Sequence, residues 1–224
     1  MTPTSIARYK DLCIDASDAL ISEQFWASVL GLESKGEYPD AWLSGPTPQH
    51  TIWINEVPEP KTAKNRVHVD VHAASIAELE ARGARLLETF ERWTVLSDPD
   101  GQEFCAFVRD HVPDYRLYEV VVDCADPELV ASWWARVYGA RLNEGDGGGW
   151  WSIDHIPGCP FDGFSFVPVP EPKTVKNRVH WDVSVDALPP LLRAGASLLR
   201  AKGGDIGWHV MADPEGNEFC AFEG

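Results

Sequence analysis

The sequence predicts an α+β protein in which one fold is built twice. Three observations carry this: a long internal repeat, period-2 alternation in several short segments, and a helix start after the first strand of each unit. The segment at 58–71, PEPKTAKNRVHVDV, recurs at 170–183 as PEPKTVKNRVHWDV, identical at 12 of 14 positions. DPDGQEFCAF at 98–107 recurs at 213–222 as DPEGNEFCAF, identical at 8 of 10. A weaker pair joins FWASVLG at 25–31 to WWARVYG at 133–139. Order is preserved and the offsets of 112, 115 and 108 drift only slightly. The halves are therefore duplicates, with predicted domains at 1–112 and 115–224 that superpose as one fold.

The elements follow in order. Leu12, Ile14 and Ala16 alternate with Asp11, Cys13 and Asp15, the pattern of a half-buried strand. Asp18 caps the next helix, where Ile21, Phe25 and Val29 recur until Gly31 ends it. In the second half Asp126 followed by Pro127 is a stronger helix start. Strands are predicted at 41–44 and 51–57, then a Pro-rich crossing, then a strand at 65–72. Ser75 with Glu78 forms a capping box for a helix that ends at Gly83. Strands near 85–88, 94–97 and 103–108 close the half, with Asp98-Pro99-Asp100-Gly101 as the last turn. Runs of strands, each opened by a strand and a helix, favour α+β over a doubly wound parallel sheet.

Composition limits the partners. Nineteen Lys and Arg against 35 Asp and Glu leave a formal charge of −16, which repels phosphate backbones and anionic membranes. Neither nucleic acid nor membrane is an expected partner. Residues 1–20 show no signal-peptide pattern and no run of 18 apolar residues occurs, so a cytoplasmic location is expected. Five cysteines without a CxxC pair do not make a disulfide framework.

Strand alternation selects the candidate site. Along 66–72, Val67, Val69 and Val71 occupy one face and Arg66, His68, Asp70 and His72 the other. The valines are expected under a helix and the polar row in a concave cleft. Glu103 and Cys105 fall on a polar face by the same parity, as do Asp11, Cys13 and Asp15. The second half repeats the scheme with Arg178, His180 and Asp182, with Glu218 and Cys220, and with Glu119 and Asp123. A solvated face with structural Arg–Asp pairs accounts for the same alternation as well as a site does.

These motifs, KNRVHVDV and KNRVHWDV with DPDGQEFCAF and DPEGNEFCAF, resemble glyoxalase-like domains of the vicinal oxygen chelate superfamily, the bleomycin-resistance and dioxygenase type. The resemblance covers nearly the whole chain. It implies four βαβββ modules whose curled sheets form concave clefts, and a divalent metal held by His, Gln or Glu. The implied ligand positions fall on Asp11, His68 and Cys105 in one half and on Glu119, His180 and Cys220 in the other. Cys105 and Cys220 stand where relatives carry Glu, and the fourth position falls among 52–54 and 164–166, where no carboxylate or imidazole stands. The ligand set is thus incomplete, and the acids around Cys105 oppose thiolate formation, so weak metal loading is expected. A small buried hydrophobe is the alternative role for each Cys.

Ten Trp include Trp42, Trp53, Trp93, Trp150, Trp151 and Trp208 near the expected clefts, while Trp26, Trp133 and Trp134 belong to helix cores. Aromatic walls suit flat ligands. The expected function is a lyase or isomerase acting on a small organic or aromatic metabolite. His68, His180, Asp70 and Asp182 are its candidate acid–base groups, and Arg66, Arg178, Glu103, Glu218, Trp42, Trp53, Trp150 and Trp151 its binding residues. The alternative is a non-catalytic protein that sequesters a planar hydrophobic compound, as drug-resistance relatives do. The chain is expected as a monomer or homodimer.

Overall fold

The computed structural model describes residues 5–36 and 41–224. Two eight-stranded sheets, neither closed into a barrel, are each covered on one side by helices. The first half supplies β1 (Ala7–Ala16), α1 (Ala19–Leu30), β2 (Glu33–Ser34), β3 (Ala41–Ser44) and β4 (Ile52–Glu56). It continues with β5 (Val67–Ala73), α2 (Ile76–Ala81), β6 (Arg85–Thr89), β7 (Thr94–Ser97) and β8 (Glu103–Val108). The second half repeats this as β9 (Leu117–Cys124), α3 (Pro127–Tyr138), β10 (Arg141–Glu144), β11 (Trp151–Asp154) and β12 (Gly163–Pro168). Its last module is β13 (Val179–Val185), α4 (Pro189–Ala194), β14 (Ser197–Arg200), β15 (His209–Ala212) and β16 (Glu218–Glu223).

Local signals act as their chemistry dictates. The Asp18 carboxylate accepts from the Ile21 N–H at 3.0 Å and Asp126 from Leu129 at 3.0 Å. Gly31, at φ 73°, ends α1 in the left-handed conformation, its N–H donating to the Ala27 carbonyl. Ser75 accepts from the Glu78 N–H, but the Glu78 side chain reaches back one residue further than a capping box requires, to the Ala74 N–H. Ile21 does not belong to the buried stripe of α1: it is 52% exposed, and the stripe runs through Ser22, Phe25, Trp26 and Val29. A spacing of four drifts off one face of a helix that turns every 3.6 residues.

Each sheet is assembled from both halves. One runs β14-β15-β16-β13-β1-β4-β3-β2, the other β10-β11-β12-β9-β5-β8-β7-β6. At the centres, β1 pairs antiparallel with β13 and β5 with β9, so the first strand of every module meets a first strand from the other half. One apolar core runs through both halves and includes Val67, Val69 and Val71 with Phe25, Trp26, Trp134 and Trp181. Two equivalent indole bonds tie helix to turn: Trp26 Nε1 donates to Asp98 and Trp134 Nε1 to Asp213, each at 3.2 Å.

Asp98 makes this buttress titratable. Burial pushes its carboxyl up to about 6, against the opposing pull of the Gln102 N–H. A carboxyl raised above its unfolded value of about 3.9 adds stability that is complete below that value and is lost as pH rises through the folded pKa. Asp98→Asn should therefore flatten the stability profile between pH 4 and 7 by on the order of 2 kcal/mol. Urea denaturation at several pH values checks this, and parallel profiles for the two proteins would refute it.

Candidate active site

Each sheet curls around a cleft at its central, cross-half strand pair. In the first cleft the β1–β13 register sets Cys13 opposite His180 and Asp11 opposite Asp182, while Asp182 also faces Cys220 on β16. The Cys13 thiol donates to Asp182 Oδ1 at 3.8 Å. Asp11 is held by Lys10 Nζ at 2.5 Å and by the Trp53 indole at 3.2 Å, and Asp15 by Lys176 and Asn55. Above this floor lies a cavity of about 530 Å³, with Cys13, His180 and Asp182 below and Trp53, Trp208 and Phe222 as walls. Trp208 stacks on Phe222 at 5.5 Å, and Trp42 leans on Trp53 at 5.6 Å.

Burial dominates the electrostatics. Asp182 is pushed well above the usual carboxylate range by desolvation and then by the Asp11 charge, which favours its protonated form. Desolvation likewise raises the Cys13 and Cys220 thiols and lowers His180, whose imidazole is neutral. Burial of the floor thus favours the neutral form of both the imidazole and the carboxyl.

In the second cleft His68 Nε2 lies 3.6 Å from Cys105 Sγ and 3.5 Å from Asp70 Oδ1. Burial lowers His68 to about 4 and raises both Asp70 and Cys105. Glu119, register-paired with Asp70, accepts from Ser165 Oγ at 2.6 Å. A cavity of about 460 Å³ on this side is walled by Tyr118, Glu119, Trp150, Asp154 and Ser165, but not by His68, Asp70 or Cys105. Tyr118 packs on His72 and Phe107, and Arg109 lies over the Phe107 and Tyr118 rings.

Several expected roles are corrected. Asp11 does not join His68 and Cys105, nor Glu119 His180 and Cys220, because the cross-half pairing exchanges partners between the clefts: Asp11 lies with His180, and Glu119 with the Asp70 cluster. Arg66 and Arg178 line neither of the two cavities above. Arg66 donates to the Glu171 and Asp123 carbonyls, and Arg178 to the Glu59 carbonyl and the Asp100 carboxylate, so the two guanidiniums clamp one half to the other. Glu103 is occupied by Lys61 and the Asn65 N–H; Glu218 lines the first cavity but is held the same way by Lys173 and Asn177. Trp151 packs on the core, because it shares strand parity with buried Ile153.

Alternation overlooked two residues. A register shift in β1 between Tyr9 and Asp11, with Tyr9 buried in the core, lets Lys10 line the first cavity beside Asp11, which the cavity-lining Trp53 bonds. The equivalent shift in β9 does the same for Tyr118 and Glu119. Cys13 was legible as cleft-facing, but nothing in its spacing marked it as a neighbour of Asp182.

The resemblance carried by the sequence motifs implies a metal, and the donor types here suit one. Cys13, His180 and Asp182, and likewise His68, Asp70 and Cys105, bring their ligand atoms within 4.8 Å of one another. Asp11 Oδ1, Asp70 Oδ1 and one ring nitrogen of each His are buried without a hydrogen-bond partner. An imidazole–carboxyl–thiol set suits zinc-like ions better than magnesium or calcium.

The model of the glyoxalase-like domain matches twice, at 11–107 and 119–222. No curated protein matches the chain in sequence. Glyoxalase I from Zea mays is similar in structure, with a TM-score of 0.67 at 12% identity over 97% of this chain and 92% of that one. A putative dioxygenase from Bacillus subtilis gives 0.65 at 12% over 97% and 85%. The cppA protein from Streptococcus pneumoniae gives 0.54 at 13% over 99% and 100%. At such identities the likeness concerns fold. The two matched segments, together spanning most of the sequence, show that this chain belongs to the glyoxalase-like domain family.

Proposed function

We propose that the protein is a lyase or isomerase that moves a proton next to the carbonyl of a small, flat organic substrate in the first cleft. One observation carries this reading: the His180 imidazole and the Asp182 carboxyl share the floor of an aromatic-walled cavity of about 530 Å³, where burial lowers the pKa of the first and raises that of the second. The substrate ring lies between Trp53 and the Trp208–Phe222 pair. His180 accepts the proton from the carbon α to the carbonyl, and Asp182 gives its proton to the carbonyl oxygen, producing an enol. On an α-hydroxy carbonyl substrate the α-hydroxyl proton passes to Asp182 as a proton returns from His180 to the former carbonyl carbon, which completes an isomerisation; departure of a β-substituent, with the enol proton returning to Asp182, completes a lyase reaction. A divalent cation in this cleft would be held by Cys13, His180 and Asp182 and would supply the polarisation of the oxygen that the Asp182 proton otherwise supplies.

A non-catalytic binding role is favoured by a different observation. The fourth metal-ligand position implied by the resemblance falls among 52–54, where no carboxylate or imidazole stands and the Trp53 indole N–H donates to Asp11. One experiment separates the two. Aromatic ketones and 2-oxo acids are screened by quenching of Trp emission, and those that bind are incubated in deuterated water. Solvent deuterium should enter α to the carbonyl, and His180→Gln should abolish that incorporation by more than about a hundredfold while quenching persists. Quenching with no incorporation in the wild type would establish the binder instead.

A further inference from the structure

The two clefts repeat one transverse row of residues and differ in its charge. Across the first sheet the register runs Arg200, Val210, Cys220, Asp182, Asp11 over β14, β15, β16, β13 and β1. Across the second it runs Glu88, Val95, Cys105, Asp70, Glu119 over β6, β7, β8, β5 and β9. Residues directly opposite one another share a sheet face, so Arg200 stands on the face of Asp182, and both line the first cavity. The equivalent of Arg200 in the second half is an acid. Another replacement falls at the register shifts of β1 and β9, where Lys10 answers to Tyr118. Lys176 does not distinguish the clefts, because it holds Asp15 as Lys64 holds Asp123. The first cleft therefore has Lys10 and Arg200 where the second has Tyr118 and Glu88, and the second cavity is walled by no Lys or Arg among the described residues.

We propose that the substrate of the first cleft carries a carboxylate besides its reacting carbonyl, and that Arg200 is the specificity-determining residue that holds it, with Lys10 as the second cation. The inference rests on the first cleft being the ligand site proposed above. Arg200 is available to a ligand. Its partner Asp205 has a side chain 77% exposed and lies outside the cavity wall, and an exposed pair of this kind contributes little. One guanidinium nitrogen meets Asp205, and the rest of the fork keeps donors for a carboxylate. Lys10 is committed only in part: Nζ bonds Asp11 at 2.5 Å and lies 4.1 Å from the Phe222 ring centroid, which leaves ammonium protons for a further acceptor. Arg200 stands three strand spacings from Asp182, about 14 Å along the sheet before its curl shortens the gap. The Arg200 side chain reaches inward from that edge, so one flat ring with its carbonyl and its carboxylate on opposite sides bridges the two. A chain of net charge −16 repels anions as a whole, so an anionic substrate needs cations local to its site.

The test compares binding of 4-acetylbenzoate, an anion, with that of neutral acetophenone, read by quenching of Trp emission in the full-length protein. The acid is expected to bind more than about tenfold more tightly at low ionic strength, and added salt should erode the preference. Arg200→Gln should remove most of the preference, Arg200→Glu should abolish it, and Arg200→Lys should retain part of it. Lys10→Met should reduce it by a smaller factor than Arg200→Gln. Glu88→Gln, at the equivalent position of the other cleft, should leave it unchanged. Circular dichroism reports the folding of each variant. A wild type that binds the acid no more tightly than the ketone, or binds neither, would overturn the proposal, and so would a preference that survives Arg200→Glu. The carbonyl chemistry is read separately, from deuterium entering the methyl group next to the carbonyl. Preference without incorporation would remove the proton transfer and keep the carboxylate site; incorporation without preference would do the reverse.

Discussion

Residues 1–112 expressed alone should form a dimer rather than a folded monomer. In the intact chain β1 and β5 each lie at the centre of an eight-stranded sheet, paired with β13 and β9 of the other half. Removing 115–224 exposes both strands as edges, with unpaired N–H and C=O groups and an uncovered apolar face. A second copy can supply what is missing, because β5 and its flanks match β13 at 12 of 14 positions across 58–71 and 170–183. Copies would pair β1 with β5 in both directions and rebuild two clefts, with the Arg66 clamp now intermolecular. Light scattering coupled to gel filtration reads the mass directly. A monomer that unfolds cooperatively with the stability of the intact protein would show that the cross-half sheets are dispensable.

Trp134→Ala should cost about 3–5 kcal/mol, the range for removing a large buried aromatic. Trp134 is 0% exposed and packs against Trp133, Tyr138, Trp181 and Phe219 at ring distances of 4.7–5.2 Å. Its loss also removes one hydrogen bond from Asp213, a carboxyl already raised by burial. The effect should reach the first cleft, because Trp181 stands on β13 between His180 and Asp182 and loses its packing partner. Trp53→Ala, at a side chain 36% exposed, should change stability by less than about 1 kcal/mol while weakening ligand quenching. Chemical denaturation of the two variants checks both values, and equal destabilisation by the two would contradict the assignment of core and cleft.

Much of the fold was legible because its signals are local. Asp18, Asp126, Gly31 and Ser75 act at helix ends through bonds to backbone groups within four residues. Valine alternation in β5 placed Val67, Val69 and Val71 in the core and His68 and Asp70 on the opposite face. The site was less legible. Arg66 and Arg178 occupied cleft-facing parity yet serve as clamps, because a long side chain near a strand end reaches the adjoining backbone before it reaches the cleft. Lys10 and Tyr118 escaped because a bulge reverses parity for one residue. Ile21 failed because a four-residue spacing does not follow a helix's true period of 3.6 residues.

By itself the sequence determined that one unit is made twice, which face of each strand is apolar, and which polar residues stand on the other face. These are properties of neighbouring residues, set by the period of a strand and by hydrogen bonds that close over short spans. Only the tertiary structure decided which acid meets which imidazole. Alternation specifies a face but not a partner strand, and β1 has the same pattern whether it pairs within its half or across it. Because it pairs with β13, Asp11 and Cys13 meet His180 and Asp182, while His68 and Asp70 are left to Cys105 and Glu119. The chemistry of both clefts follows from that exchange.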